Sequence, residues 1–271
     1  MPIFDTHAHY MRSDFPDLDE VLERLPSQGV ERVLAIGCDI PSSVEEIELA
    51  ERYDYIYAAA GIHPEYAAEL PGDWESKLTE LLKRDKVVAV GEIGLDYHYP
   101  DGAPKEVQRE VFIRQLEIAG RLGLPVVIHS RDASGDTLEI LKEYKPRGVL
   151  HCFSGSAETA REVVKLGMYV GFTGVLTFKN SKKAWAACAE VPIERLLLET
   201  DCPYMAPVPH RGERCDSSMI KFTAAKMAEI KGTDAEKMIE IARENGERLF
   251  FNDNIRKGIP KTYRGFYKSA H

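Results

Sequence analysis

The chain has 271 residues, 44 Asp plus Glu against 35 Lys plus Arg, and 44% hydrophobic residues, enough apolar material for one large domain or two small ones. That excludes a disordered or fibrous chain, and the net charge of -9 excludes a broad basic surface for gripping duplex nucleic acid. No window approaches the roughly 18 uninterrupted apolar residues of a membrane helix, and the opening MPIFDTHAHY lacks the basic and apolar regions of a leader. A soluble, cytoplasmic protein with no membrane contact is the expectation.

Short apolar runs rich in β-branched residues alternate with amphipathic stretches along the chain. The pattern predicts a strand over 3–9, a helix over 17–25, a strand over 32–37 and a helix over 42–52. Next come a strand over 56–62, a helix over 74–84, a strand over 87–95 and a helix over 106–122. Strands over 125–130, 148–153, 169–173 and 196–201 follow, separated by helices over 137–144, 157–166 and 182–189. Two further helices, over 217–230 and 234–250, complete the series. Eight strand–helix units in this length, without a G-x-G-x-x-G or Walker loop, predict a single-domain (β/α)8 barrel of the TIM type. On that fold the functional residues stand at the C-terminal strand ends.

Five of the eight histidines fall at or near those ends: His7 and His9 in DTHAH, His63 in GIHP, His129 in VIHSR and His151 in LHCF. Glu92 and Asp201 each follow an apolar run that ought to bury them, and a buried carboxylate needs a partner or a metal. Alternate strand residues share a face, so His7 and His9 can converge on one ion, with Asp5 on the same side. Imidazole with carboxylate suits Zn²⁺, Mn²⁺, Fe²⁺ or Ni²⁺, whereas Mg²⁺ prefers sites made of oxygen. Six ligand-type residues exceed the needs of one tetrahedral ion. The surplus fits two divalent ions about 3.5–4 Å apart with a carboxylate between them, an arrangement suited to water activation and phosphoryl transfer.

The stretches DTHAHY, GIHPE, GEIGLDYHY, VIHSRDA, HCFSGS, GFTG and LLLETDCPYMAP occur in this order. With them the chain resembles the TatD family of metal-dependent hydrolases, within the amidohydrolase superfamily, from about Met1 to Phe251. The resemblance implies metal ligands at His7, His9, Glu92, His129, His151 and Asp201, with Glu92 shared, and two metal ions, Zn, Mn or Mg. It also implies metal-dependent DNA hydrolysis, often from a strand end, and related phosphodiester cleavage. Glu92, Asp201 and His63 are then the catalytic candidates, with Asp201 as proton acceptor and His63 as proton donor or phosphate contact. Arg131 and Arg211 are the candidate substrate contacts, and single-stranded or frayed DNA ends the expected substrate; no obligate protein partner is implied. After the eighth strand this chain reads Arg211, Gly212, Glu213, Arg214, Cys215, Asp216, Ser217, where the family commonly carries R-G, a basic residue and an Asn-x-Pro segment.

Two rival readings use the same residues. The activated water could attack a carbon centre, making the protein an amidohydrolase or deacylase of a small or aminoacyl substrate. A metal- or partner-binding barrel without turnover is the other, and retention of every ligand-type residue speaks against it. Asp96 and His98 are expected to orient ligands or substrate, and His210 is a loop residue with no assigned role. Cys38, Cys152, Cys188, Cys202 and Cys215 are odd in number and never spaced C-x-x-C, which points to reduced thiols. Strand alternation turns Cys152 and Cys202 away from the metals, as packing residues. A barrel over 1–251 and a basic tail over 252–271 divide the chain. From Asn254 onward it carries Arg256, Lys257, Lys261, Arg264 and Lys268 and no carboxylate, which leaves 30 basic against 44 acidic residues, or -14, on the preceding part. Its interleaved Tyr263, Phe266 and Tyr267 suggest help in binding unpaired bases.

Overall fold

The computed structural model describes residues 2–251, so the basic tail lies outside the described residues. Eight parallel strands pair in sequence order, β1 (Ile3–Ala8), β2 (Val30–Ile36), β3 (Ile56–Ala60), β4 (Val87–Asp96), β5 (Val126–Arg131), β6 (Gly148–Leu150), β7 (Tyr169–Phe172) and β8 (Leu196–Leu198). The helices are α1 (Leu18–Arg24), α2 (Ile40–Arg52), α3 (Trp74–Leu81), α4 (Lys105–Leu122), α5 (Ser134–Tyr144), α6 (Ala157–Lys165), α7 (Lys182–Glu190), α8 (Ile220–Lys231) and α9 (Ala235–Phe250). This is a single-domain (β/α)8 barrel. Local chemistry sets many helix ends: Ser156 and Asp234 accept the Thr159 and Lys237 amides to start α6 and α9, and Gly123 ends α4 at a φ of 69°.

Side-chain alternation sorts the core. Leu34, Ile36, Ala59, Ala89, Val127, Val149, Tyr169 and Leu197 join Phe4 in one buried cluster. A cluster fed by all eight strands fills the barrel's lumen, and Leu249 and Phe250 of α9 pack against it. Their neighbours Val33, Ala35, Val126, Ile128, Leu196 and Leu198 belong to the larger cluster beneath the helices. Two residues beyond a lumen residue stand His129 after Val127, His151 after Val149 and Glu199 after Leu197. The site therefore sits on the lumen's axis at the C-terminal end of the barrel.

The seam between β1 and β8 closes just above the paired strands. The Asp201 amide donates to the His7 carbonyl at 2.9 Å, and the His9 amide donates to the Cys202 carbonyl at 2.8 Å. Asp5, fully buried, accepts the amides of His7 and Thr200 on one oxygen and the hydroxyls of Thr200 and Ser217 on the other. It fastens the seam and joins none of the metal-type clusters among the described residues. Several predicted strands run two or three residues too far, because the chain leaves the ladder at the rim. His9, His151 and Asp201 thus lie just past strand ends, and His63 caps a 3-10 turn, Pro64–Glu69. The predicted helix over 217–230 divides into a 3-10 turn, Ser217–Met219, and α8.

Candidate metal centre

Glu92 within β4, His7 and His129 near the ends of β1 and β5, and His9, His151 and Asp201 just past β1, β6 and β8 come together in one largely buried group. The two oxygens of Glu92 face different partners. Its Oε2 stands 3.4 Å from His7 Nε2 and 3.7 Å from His9 Nε2, and Asp201 Oδ1 completes that set at 3.7 and 3.5 Å from the same two nitrogens. Its Oε1 stands 2.8 Å from His129 Nδ1 and 2.7 Å from His151 Nε2. Donor atoms about 2.1 Å from a tetrahedral ion lie about 3.4 Å apart. The first set, with its two imidazole nitrogens 3.1 Å from each other, has that spacing, so the residues fit a metal.

The ring orientations are fixed from behind. His9 donates Nδ1–H to the Ile36 carbonyl at 2.8 Å, which leaves the Nε2 lone pair facing the cluster. His129 donates Nε2–H to Asp96 Oδ2 at 3.1 Å and turns Nδ1 inward. Asp96 thus orients a cluster histidine, whereas His98 makes an exposed pair with Asp132 at 2.9 Å. Burial would raise the Glu92 carboxyl, but His151, His7 and His63 around it hold it well below the usual range. For Asp201 the His9 and His7 rings likewise outweigh burial and keep it ionised. Burial lowers His7 and His63 to about 4; at His129 it is overcome by the bonds to Asp96 and Glu92, which lift the ring to about 9.

His63 lines the same cleft, its Nε2 3.8 Å from Glu92 Oε1. Its Nδ1 accepts the Glu65 amide at 3.2 Å, so Nε2 carries the proton and points it into the site. Arg131 also lines this cleft, with Nη1 donating to the Tyr99 hydroxyl at 3.1 Å. Arg211 instead lies over the Phe178 ring at 4.4 Å and is not among the residues lining the cleft. The divergent loop around it is tied down internally: Arg214 pairs with Asp17 at 2.6 Å, Asp216 with Arg24 at 2.8 Å, and His210 with Glu213 at 2.9 Å.

The five cysteines are free thiols. Cys202 is buried packing, but Cys152 corrects the alternation argument: the strand ends at Leu150, Cys152 turns to a φ of 41°, and it lines the cleft. Two groups escaped the sequence reading. Cys38 Sγ lies 4.0 Å from Glu92 Oε2. Glu199, fully buried and pushed by that burial to about 8, has one oxygen accepting the Cys152 amide and the other without a hydrogen bond among the described residues. It lies 4.0 Å from His151 Nδ1. The signal for both was present, since each stands two residues past a lumen position, Ile36 or Leu197.

The profile of the family described as TatD related DNase matches residues 4–251. The "Uncharacterized metal-dependent hydrolase YabD" of Bacillus subtilis is 45% identical over 252 residues, which cover 92% of this chain and 98% of that one. The "3'-5' ssDNA/RNA exonuclease TatD" of Cronobacter sakazakii is 33% identical, covering 93% and 98%. Among solved structures, the TatD homologue YJJV from Escherichia coli superposes with a TM-score of 0.84 at 32% identity, covering 92% and 97%. With a family match across the barrel, curated relatives covered nearly end to end and a buried site of metal-ligand chemistry, this chain belongs to the TatD family and is a metal-dependent hydrolase.

Proposed function

We propose that the protein is a nuclease that hydrolyses phosphodiester bonds from the ends of single-stranded or frayed DNA. The observation that carries this reading is the division of Glu92, with Oε1 toward His129 and His151 and Oε2 toward His7 and His9, the arrangement of a carboxylate shared by two ions. The relative named a single-strand DNA and RNA exonuclease supports the substrate class. Divalent cations held by His7, His9, Glu92 and Asp201 and by Glu92, His129 and His151 would supply Lewis acidity and lower the cost of deprotonating water. This nitrogen-rich donor set suits Zn²⁺ or Mn²⁺ better than Mg²⁺.

The residues divide the remaining work. Asp201, ionised and beside both His7 and His9, takes the proton of the attacking water. His63 directs its Nε2–H at a non-bridging or leaving oxygen. Arg131 holds the phosphate at the cleft mouth, where a guanidinium can make paired hydrogen bonds. The negative charge of the molecule favours a threaded end over the middle of a duplex.

Chelated protein reconstituted with Zn²⁺, Mn²⁺ or Mg²⁺ should shorten an end-labelled single strand by single nucleotides and spare a closed circle. Glu92→Gln and Asp201→Asn should each lower the rate about 100-fold or more while the fold persists. Hydrolysis of acyl substrates with no cleavage of DNA, or rapid nicking of closed circles, overturns the proposal.

A further inference from the structure

A second cleft of about 770 Å³ lies beside the 840 Å³ metal cleft, and the two share Glu65, Tyr66, Asp96 and Tyr99 as lining residues. Its apolar lining includes Ile62 and Ala103, both members of a small buried cluster. Gln108 fixes this lining in place. Its side-chain oxygen accepts the Asp96 amide, and its amino group donates to the carbonyls of Asp96 and Ala103, all at 2.8 Å. The two tyrosines at the boundary, Tyr66 and Tyr99, are 45% and 56% exposed. Both present ring surface to the clefts, with Arg131 over one side of the Tyr99 ring and the His98 ring edge-on to it at 5.1 Å.

Charge decides what such a cleft can hold. Glu65, Glu69 and Asp101 line it, and among the described residues none of their carboxylates has a hydrogen bond or ion pair. The cation there, Lys77, is engaged by Asp73 at 3.0 Å. This surface repels phosphate and accepts hydrogen bonds. Arg131, by contrast, lines only the metal cleft, with its guanidinium 5.2 Å from the Tyr99 ring centroid. The boundary thus divides an anion-attracting side from an anion-repelling, apolar and aromatic one. A nucleotide has the same division between its phosphate and its base.

We infer that the second cleft is a nucleobase subsite, which receives a base flanking the scissile bond across the Tyr66–Tyr99 boundary while the phosphate stays with Arg131 and the metal cluster. This rests on the nuclease reading and refines it. Stacking on the tyrosines binds any base, and the free carboxylates favour adenine, cytosine and guanine, whose exocyclic amino groups donate, over thymine.

The test compares single-stranded oligonucleotides on the metal-loaded enzyme: ends of dA, dC or dT, and the same strands made abasic at either of the last two nucleotides. The wild type should show a KM about 10- to 100-fold lower for a base-bearing end than for an abasic one. Tyr66→Ala and Tyr99→Ala should drive that ratio toward one, and Tyr99→Phe should retain most of it. The Glu65→Gln, Asp101→Asn double variant should narrow the preference for dA and dC over dT. Both tyrosines are exposed, so the variants fold, as circular dichroism and metal content will verify. Equal KM for base-bearing and abasic ends, or a ratio that survives both alanine variants, overturns the subsite and leaves the nuclease reading standing. Failure of the wild type to cleave any strand overturns the nuclease reading, and the subsite with it.

Discussion

Glu46 on α2 is a carboxylate with no solvent exposure, and among the described residues its only hydrogen bond is from the Tyr10 amide to Oε1, at 2.7 Å. Burial pushes it from an ordinary 4.5 to about 8, against smaller opposing effects of His9 and the Tyr10 amide. Between those two values the folded chain keeps a proton that the unfolded chain has released. Stability therefore falls as pH rises through this window and is level above it. At about 1.4 kcal/mol per pH unit, the loss between pH 5 and pH 8 is about 4 kcal/mol. Glu46→Gln has the same shape, keeps an acceptor for the Tyr10 amide and cannot ionise. The variant should match the wild type near pH 5 and exceed it by about 4 kcal/mol at pH 8. Urea unfolding of both proteins in chelator, at unit steps of pH, reads the difference directly, because other titrating groups cancel between the two. A difference that stays constant from pH 5 to pH 8, or one that favours the wild type at pH 8, refutes the argument.

Asp5→Ala strands the buried amides of His7 and Thr200, and at about 1–3 kcal/mol each the cost is about 2–6 kcal/mol by denaturant unfolding. Asp5→Asn, which keeps one oxygen for both amides, should lose less than half of that; equal losses would show that the seam does not depend on those bonds. A Cβ at Gly171 would stand 2.0 Å from Glu199 Oε1, so Gly171→Ala should destabilise by about 1–3 kcal/mol and reduce metal retained through gel filtration. Wild-type metal content and stability in that variant would show that the site does not depend on how Glu199 is placed beside His151. Metal retention should also fall from pH 8 to pH 5, because protons compete for the ligand nitrogens, most readily at His129, lifted to about 9. Equal metal content at both pH values would contradict histidine ligation.

The sequence by itself determined the barrel and the residues brought to its mouth. Apolar runs every few tens of residues identified the strands, the fold placed His63, His129 and His151 at their ends, and alternation along the first strand put His7 and His9 on one face. The same parity applied to Glu199 and Cys38 but passed unused, since neither belonged to a histidine motif. Alternation failed at Cys152, where the strand had ended and the backbone had turned left-handed. Other features are relations between segments far apart in the chain, and only the tertiary structure could decide them. The sharing of Glu92's two oxygens depends on four histidines from three strands meeting one carboxylate from a fourth. Arg211 sits against Phe178 rather than in the cleft because their loops pack together, which no local pattern records. The second cleft arises where the 3-10 turn Pro64–Glu69 meets the residues between β4 and α4. Period and polarity are encoded residue by residue, whereas a cleft is the space left between elements, and its shape exists only once they have packed.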